Sequence, residues 1–293
     1  MASTPSPSTS EPGIVALLGR KTLVLGGIAL VGVLLTLGLR LAGAGDVPIF
    51  LVAAVTLAGL AGLVGEGTDQ LGDRFGPGAT GVLQSALGNL PELFISLFAL
   101  QAGLTVLVQT ALIGSILGNS LLVLGLAFVA GGLKHGKQVF DAAPVRNIAI
   151  ILVLAVAALA IPTISTAPGG PDQGHAVEIS VFVSVVLLIV FAASIPFSLS
   201  GGEGASALGH AGDRGGAAWP LRLTIGVLAA GAIGAAFVSD WFVEALTPAM
   251  AQLGLSEAFV GLVVVALAGN AVENVVGIQQ AMRNRTDLAI SLI

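Results

Sequence analysis

The sequence predicts an all-α polytopic membrane protein with about eight complete helices and the start of a ninth. Three observations carry this expectation. Hydrophobic residues make up 55% of the 293-residue chain and charged residues 9%, with a mean hydropathy of +1.01. A soluble domain carries about 25% charge, so these charges are too few to coat a water-soluble surface. The apolar residues come in blocks of ~20, the length a helix needs to cross ~30 Å of hydrocarbon. The chain has no Cys, which excludes disulfides and thiolate metal sites. Its net charge of −5 is mild and argues against nucleic acid as a partner; the expected surrounding is a lipid bilayer.

Taken in order, residues 1–20 read as a disordered tail, because the start is rich in Ser, Thr and Pro. Arg20 and Lys21 precede an apolar run, Thr22 to Leu41, that is too long for a signal-peptide core, so a retained first helix is expected. The complete helices are expected near 22–42, 47–66, 78–101, 104–132, 145–163, 176–199, 220–240 and 256–282. A ninth begins at Asp287. Turn residues punctuate the runs, as at Gly43-Ala44-Gly45-Asp46, Gly76-Pro77-Gly78 and Pro168-Gly169-Gly170-Pro171. Residues 21–199 are expected to form a first half with six helices, 200–219 a Gly-rich cytoplasmic linker, and 220–293 an incomplete second half.

Orientation follows from Lys and Arg. With a cytoplasmic N-terminus, Arg40 alone of the 11 Lys and Arg residues falls on the outer side. One missed or invented span would scramble that bias downstream.

The third helix contains Gly88-Asn89-Leu90-Pro91-Glu92 and the eighth Gly269-Asn270-Ala271-Val272-Glu273. Both read G-N-x-x-E inside an apolar segment. The predicted topology runs these two helices in opposite directions, so the motifs form an inverted repeat, which in secondary transporters places a binding site near the midplane. An ionised carboxylate at the bilayer centre costs ~2.5–3.5 kcal/mol on insertion scales. A hard divalent cation offsets that cost, since it takes several oxygen ligands, carboxylates and backbone carbonyls included. Gly-Asn before each Glu, with Pro91 in the first motif, weakens regular helix and frees carbonyls to face a cavity. Asn89 and Asn270 add side-chain oxygens or hold the glutamates in place. When the cation leaves, desolvation and mutual repulsion favour proton binding, so metal and proton compete for the same oxygens. A lone Gly in an apolar helix is usually a packing contact, and a lone intramembrane Glu can be a structural hydrogen-bond partner. Two such motifs in opposed helices favour function.

At these residues the chain resembles the calcium/proton exchangers of the cation/calcium exchanger superfamily. The first repeat carries Gly65-Glu66-Gly67-Thr68-Asp69, the motif at Glu92, Ser96 to Leu100, Gly114-Ser115-Ile116-Leu117-Gly118-Asn119 and Leu121 to Gly125. The second carries the motif at Glu273 and Asp287-Leu288-Ala289-Ile290. The resemblance implies an inverted-repeat fold in which Glu92 and Glu273 bind calcium, or a similar divalent cation, and exchange it for protons by alternating access. Gly88, Asn89, Gly269 and Asn270 surround them, and Ser115, Asn119, Pro91 and Glu66 support them. Transported calcium and protons are then the ligands, and no cofactor is expected. Asn in both motifs favours the proton-coupled branch, because sodium/calcium exchangers of the superfamily usually carry Gly-Thr-Ser ahead of the acid. Asn274 stands where His often follows the Glu. The resemblance places the chain in a membrane, expected to be a bacterial cell membrane. The alternatives are a sodium-coupled calcium exchanger and a truncated non-transporting or regulatory membrane protein. H-E-x-x-H, G-x-S-x-G and Walker motifs are absent, which argues against an enzyme.

His135 and His210 are expected in cytoplasmic loops and His175 in an outer loop, all solvated. Glu66, Asp69 and Asp73 border the second helix on the cytoplasmic side. Asp240, Glu244 and Glu257 fall near the outer end of the eighth. Either cluster could attract cations, but the outer one reads better as a solvated helix end.

Overall fold

The computed structural model describes residues 14–75, 83–199 and 219–292. Its helices are α1 (Ile14–Leu41), α2 (Asp46–Phe75), α3 (Gln84–Gly88 followed by Leu90–Gln101), α4 (Thr105–His135), α5 (Ala142–Ser165), α6 (Ala176–Leu199), α7 (Leu221–Leu253), α8 (Glu257–Gly269 followed by Ala271–Ala281) and α9 (Thr286–Leu292). Among the described residues five helices are long and apolar enough to cross a membrane, and the two arms of α8 make a sixth when counted as one bent span. Leu90–Gln101 and Leu152–Ser165 are shorter apolar pieces.

Among the described residues the order of the helices follows the sequence and their number does so roughly, but three ends move. α1 starts at Ile14, inside the stretch read as a tail, and the chain bends at Gly19 (φ 69°, ψ 165°), a conformation open to Gly. α2 runs past Glu66 to Phe75, and α7 runs past Asp240 to Leu253. Charged residues end a hydropathy run without ending a helix. Beyond Asp240, α7 continues with Phe242, Leu246 and Ala249 buried while Asp240 and Glu244 face outward. The linker 200–219 lies outside the described residues up to Trp219, which is buried against α2. There the Trp219 amide donates to Gln70 Oε1 (3.2 Å), and its carbonyl accepts from Arg74.

α2 is the centre of the bundle. Its most extensive partner is α7, followed by α1. Leu57, Leu60 and Val64 of α2 are buried with Val238, Phe242 and Leu246 of α7, and the Phe50 and Phe242 rings stack 5.2 Å apart. Lipid tails are as apolar as Leu, so close van der Waals packing, not apolar burial, holds such a pair together. Small residues permit it: a Cβ at Gly231 would press on Val64 (2.9 Å) and one at Gly234 on Leu60 (2.9 Å). The same core continues through Ile95 and Ala99 of α3, Leu107 and Ala111 of α4, and Val260 and Val265 of α8. α5 and α6 differ. They pack chiefly on each other, and the apolar window Ala176–Ala193 has no buried residue.

Candidate cation site

The two G-N-x-x-E motifs break their helices in the same way. Asn89 (φ −94°, ψ 16°) and Asn270 (φ −100°, ψ 15°) both leave the helical region for the sparsely populated bridge region, and each stands at the N-cap of the next piece. The first bond after each break is also the same: Leu93 N to Asn89 O, and Asn274 N to Asn270 O, both 3.0 Å. Pro91 sits in the first turn of Leu90–Gln101, where a missing N–H costs nothing. In α8 the arms Glu257–Gly269 and Asn274–Ala281 meet at 64°. Wide π turns flank the breaks, at Gln84–Gly88 in α3, Gly118–Val123 in α4 and Val260–Val265 in α8. Such turns disturb the regular carbonyl ladder and recur at functional sites.

Glu92 lies in the first turn after the Asn89 break, half-buried, where the helix dipole favours its charge. Its Oε1 accepts from Asn270 Nδ2 at 2.8 Å and from Ser115 Oγ at 3.2 Å. Asn270 is buried, and its Nδ2 also lies 3.2 Å from both Ser115 Oγ and the Ala266 carbonyl. The acid of the first motif is thus held by the amide of the second. Gly269 makes this approach possible, because a Cβ there would overlap the Glu92 carboxylate.

A glycine crossing brings Ser115 into the group. A Cβ on Gly114 of α4 would run into the Leu262 carbonyl of α8, and one on Gly261 into Leu107 O and the Thr110 hydroxyl. Two helices with small residues facing each other can meet backbone to backbone. Ser115, next to Gly114, is thereby set against Asn270. Glu257 pins the far end of the crossing, its Oε1 accepting from Leu107 N at 2.8 Å. Sequence reasoning missed Gly261, whose signal was a single Gly inside the apolar run Phe259 to Val265, and it read Glu257 as a solvated end rather than a cap on α4.

The other candidates fall in several places. Gly88 is buried at the end of the π turn of α3; Asn89 is exposed and makes no side-chain cap bond. The backbone of Glu273 belongs to Ala271–Ala281, but its side chain lies outside the described residues. Asn119 sits in the π turn of α4 and, among the described residues, joins no bond of the Glu92 network. Asn274 is buried, and its Oδ1 has no hydrogen-bond partner among the described residues. Glu66, also buried, pairs with Lys21 of α1 (3.0 Å). Among the acidic clusters, Glu244 pairs with Arg40 (2.6 Å), and the side chain of Asp73 lies outside the described residues. His135 Nε2 donates to the Met282 carbonyl at 2.8 Å, which ties the end of α4 to the end of α8. His175 opens onto α6 from an exposed turn, and His210 lies outside the described residues.

The sodium/calcium exchanger protein family matches residues 46–200 and 223–293. The Ca(2+)/H(+) antiporter ChaA of Bacillus subtilis (strain 168) is 34% identical over 248 residues, 83% of this chain and 70% of the relative. A Ca(2+)/H(+) antiporter of Aphanothece halophytica is 32% identical over 262 residues, 84% of this chain and 70% of the relative. Among solved structures, that of native YfkE superposes with a TM-score of 0.74 at 31% identity, covering 92% of this chain and 76% of the other. The H+/Ca2+ exchanger CAX shares the fold at a TM-score of 0.64 and 17% identity, covering 93% of this chain and 69% of the other. The family match spans both Asn turns and the helices that bring Glu92, Ser115 and Asn270 together, and the chain belongs to the sodium/calcium exchanger protein family.

Proposed function

We propose that the chain is a secondary active transporter that exchanges calcium, or a similar divalent cation, for protons by alternating access. Glu92 and Glu273 serve as the shared ligands. The observation that carries this reading is the bond from Asn270 of one motif to Glu92 of the other, with Ser115 completing the triangle. Relatives at 34% and 32% identity that are Ca(2+)/H(+) antiporters support it.

In this mechanism the cation takes oxygens from Glu92, Glu273 and the Ser115 hydroxyl, together with carbonyls freed at the two Asn turns. A calcium ion accepts six to eight such ligands. When it leaves, a proton neutralises the carboxylate, because an unpaired charge there is costly. Occupancy therefore alternates between metal and proton, and the α3 and α8 breaks are the points at which the arms move. The Lys and Arg bias favours a cytoplasmic N-terminus, with the chain in a bacterial cell membrane.

The test uses purified protein in liposomes with an imposed pH gradient and a calcium-sensitive dye. Glu92→Gln keeps the shape and removes the exchangeable charge, and should lower uptake by about a hundredfold, as for an interaction worth ~2.7 kcal/mol. Uptake that survives this exchange sinks the proposal. Uptake driven by a sodium gradient, and not by the pH gradient, moves the chain to the sodium-coupled class.

A further inference from the structure

α1 and α7 both pack on α2 but barely touch each other. An open crevice of about 620 Å³ runs between them, floored by Leu60 of α2 and walled by Leu30 and Val33 of α1 and Ile233 and Phe237 of α7. At one end stands Trp241, which also lines a second cavity of about 440 Å³ with Arg40, Asp46 and Glu244. The crevice is apolar; the mouth is charged. Arg40 Nη1 lies 2.6 Å from Glu244 Oε2, and its guanidinium stands 5.5 Å from the centroid of the Trp241 ring.

The mouth lies at the depth of a membrane–water boundary. Arg40 is in the last turn of α1, and Asp46 is in the first turn of α2. Trp241 falls about 20 residues into α7, the length that crosses the hydrocarbon. Trp at this depth is a common interfacial anchor. An apolar crevice that meets a polar pocket at Trp241 fits an amphiphile, with a chain along α1 and α7 and a headgroup at Arg40.

Charge selects the headgroup. One guanidinium and two carboxylates repel a net anion but suit a zwitterion, with phosphate on the remaining Arg40 N–H groups and ammonium on Asp46 and Glu244. A primary ammonium can donate hydrogen bonds to both carboxylates, and a quaternary one cannot. We propose that the crevice and its mouth form a binding site for one phospholipid with a zwitterionic primary-ammonium headgroup, phosphatidylethanolamine. The site is separate from Glu92 and does not depend on the ion carried.

Native mass spectrometry of the purified chain, offered equal amounts of phosphatidylethanolamine, phosphatidylcholine and phosphatidylglycerol, tests this. Phosphatidylethanolamine should be retained with a preference of about tenfold, the worth of one charge-assisted hydrogen bond. Arg40→Gln should abolish the preference. Ile233→Trp should lower retention of all three lipids by filling the crevice; Ile233 is 59% exposed, so this exchange leaves the core intact. Retention without headgroup preference, or retention unchanged in both variants, would overturn the site. Competition by soluble phosphoethanolamine as strong as by the lipid would overturn it as well, since the crevice would then contribute nothing.

Discussion

Asn89 and Asn270 occupy the same place in their motifs and nearly the same backbone conformation, yet their side chains do different things. Asn270 is buried and donates to Glu92, while Asn89 is exposed and caps its helix through the backbone alone. The difference comes from what packs against each break. α8 crosses α4 at Gly114 and Gly261, so the residues after that crossing are pressed into the bundle. The α3 break is preceded by a π turn that ends directly at Gly88, whereas the π turn of α8 ends at Val265, a further helical turn upstream of Asn270. Equivalent motifs set equivalent backbone breaks; their neighbours decide which amide reaches a carboxylate.

Gly269 is the most sensitive point of the contact between the two motifs. Alanine there puts a methyl where the Glu92 carboxylate now lies. Overpacking of this kind costs ~1–3 kcal/mol, and here it falls on a ligand. Gly269→Ala should weaken calcium binding by about thirtyfold in isothermal titration. An unchanged affinity would mean that Glu92 holds its cation in some other position.

Asn270→Ala is the next step down. It removes the 2.8 Å donor to Glu92 Oε1 and leaves Ser115 as the donor among the described residues. A hydrogen bond to a charged group is worth ~1.5–3 kcal/mol. The cation itself replaces part of this in the loaded state, so the expected loss of calcium affinity is about tenfold, at the lower end of that range. Asn270→Asp separates two roles of the amide. It restores an oxygen but not the donor, and should not rescue if the N–H is what matters.

Much of the fold was legible from the apolar blocks and the punctuation between them, because a spanning helix has to be long and apolar and its turns need Gly and Pro. The helix order held, and the two G-N-x-x-E motifs marked both breaks. The parts that were not legible share a cause. α2 beyond Glu66 is polar but largely buried, and α7 beyond Asp240 is a helix with one buried face; hydropathy along the chain separates neither from a loop. The outer acids illustrate the same point: Glu244 lies on Arg40 and Glu257 on Leu107 N, pairings between residues far apart in sequence. At the site, the sequence named Glu92, Asn270 and Ser115 but not which atom meets which. That depends on Gly114, Gly261 and Gly269, where the absence of a side chain is the informative feature.

Exchange of Asn89 should change binding least. Asn89 has the motif position of Asn270 but is exposed and makes no side-chain cap bond. Its φ and ψ are open to Ala, since φ is negative. Exchanges at such exposed positions usually stay within ±0.5 kcal/mol. Asn89→Ala should therefore leave equilibrium calcium affinity within about twofold of the parent. Measured beside Asn270→Ala under the same conditions, it asks whether the motif or the packing assigns the role. If both Asn variants lose affinity equally, the motif assigns it, and the asymmetry between α3 and α8 carries no weight for binding. If only Asn270→Ala loses it, packing against α4 has made one of two equivalent amides the partner of Glu92.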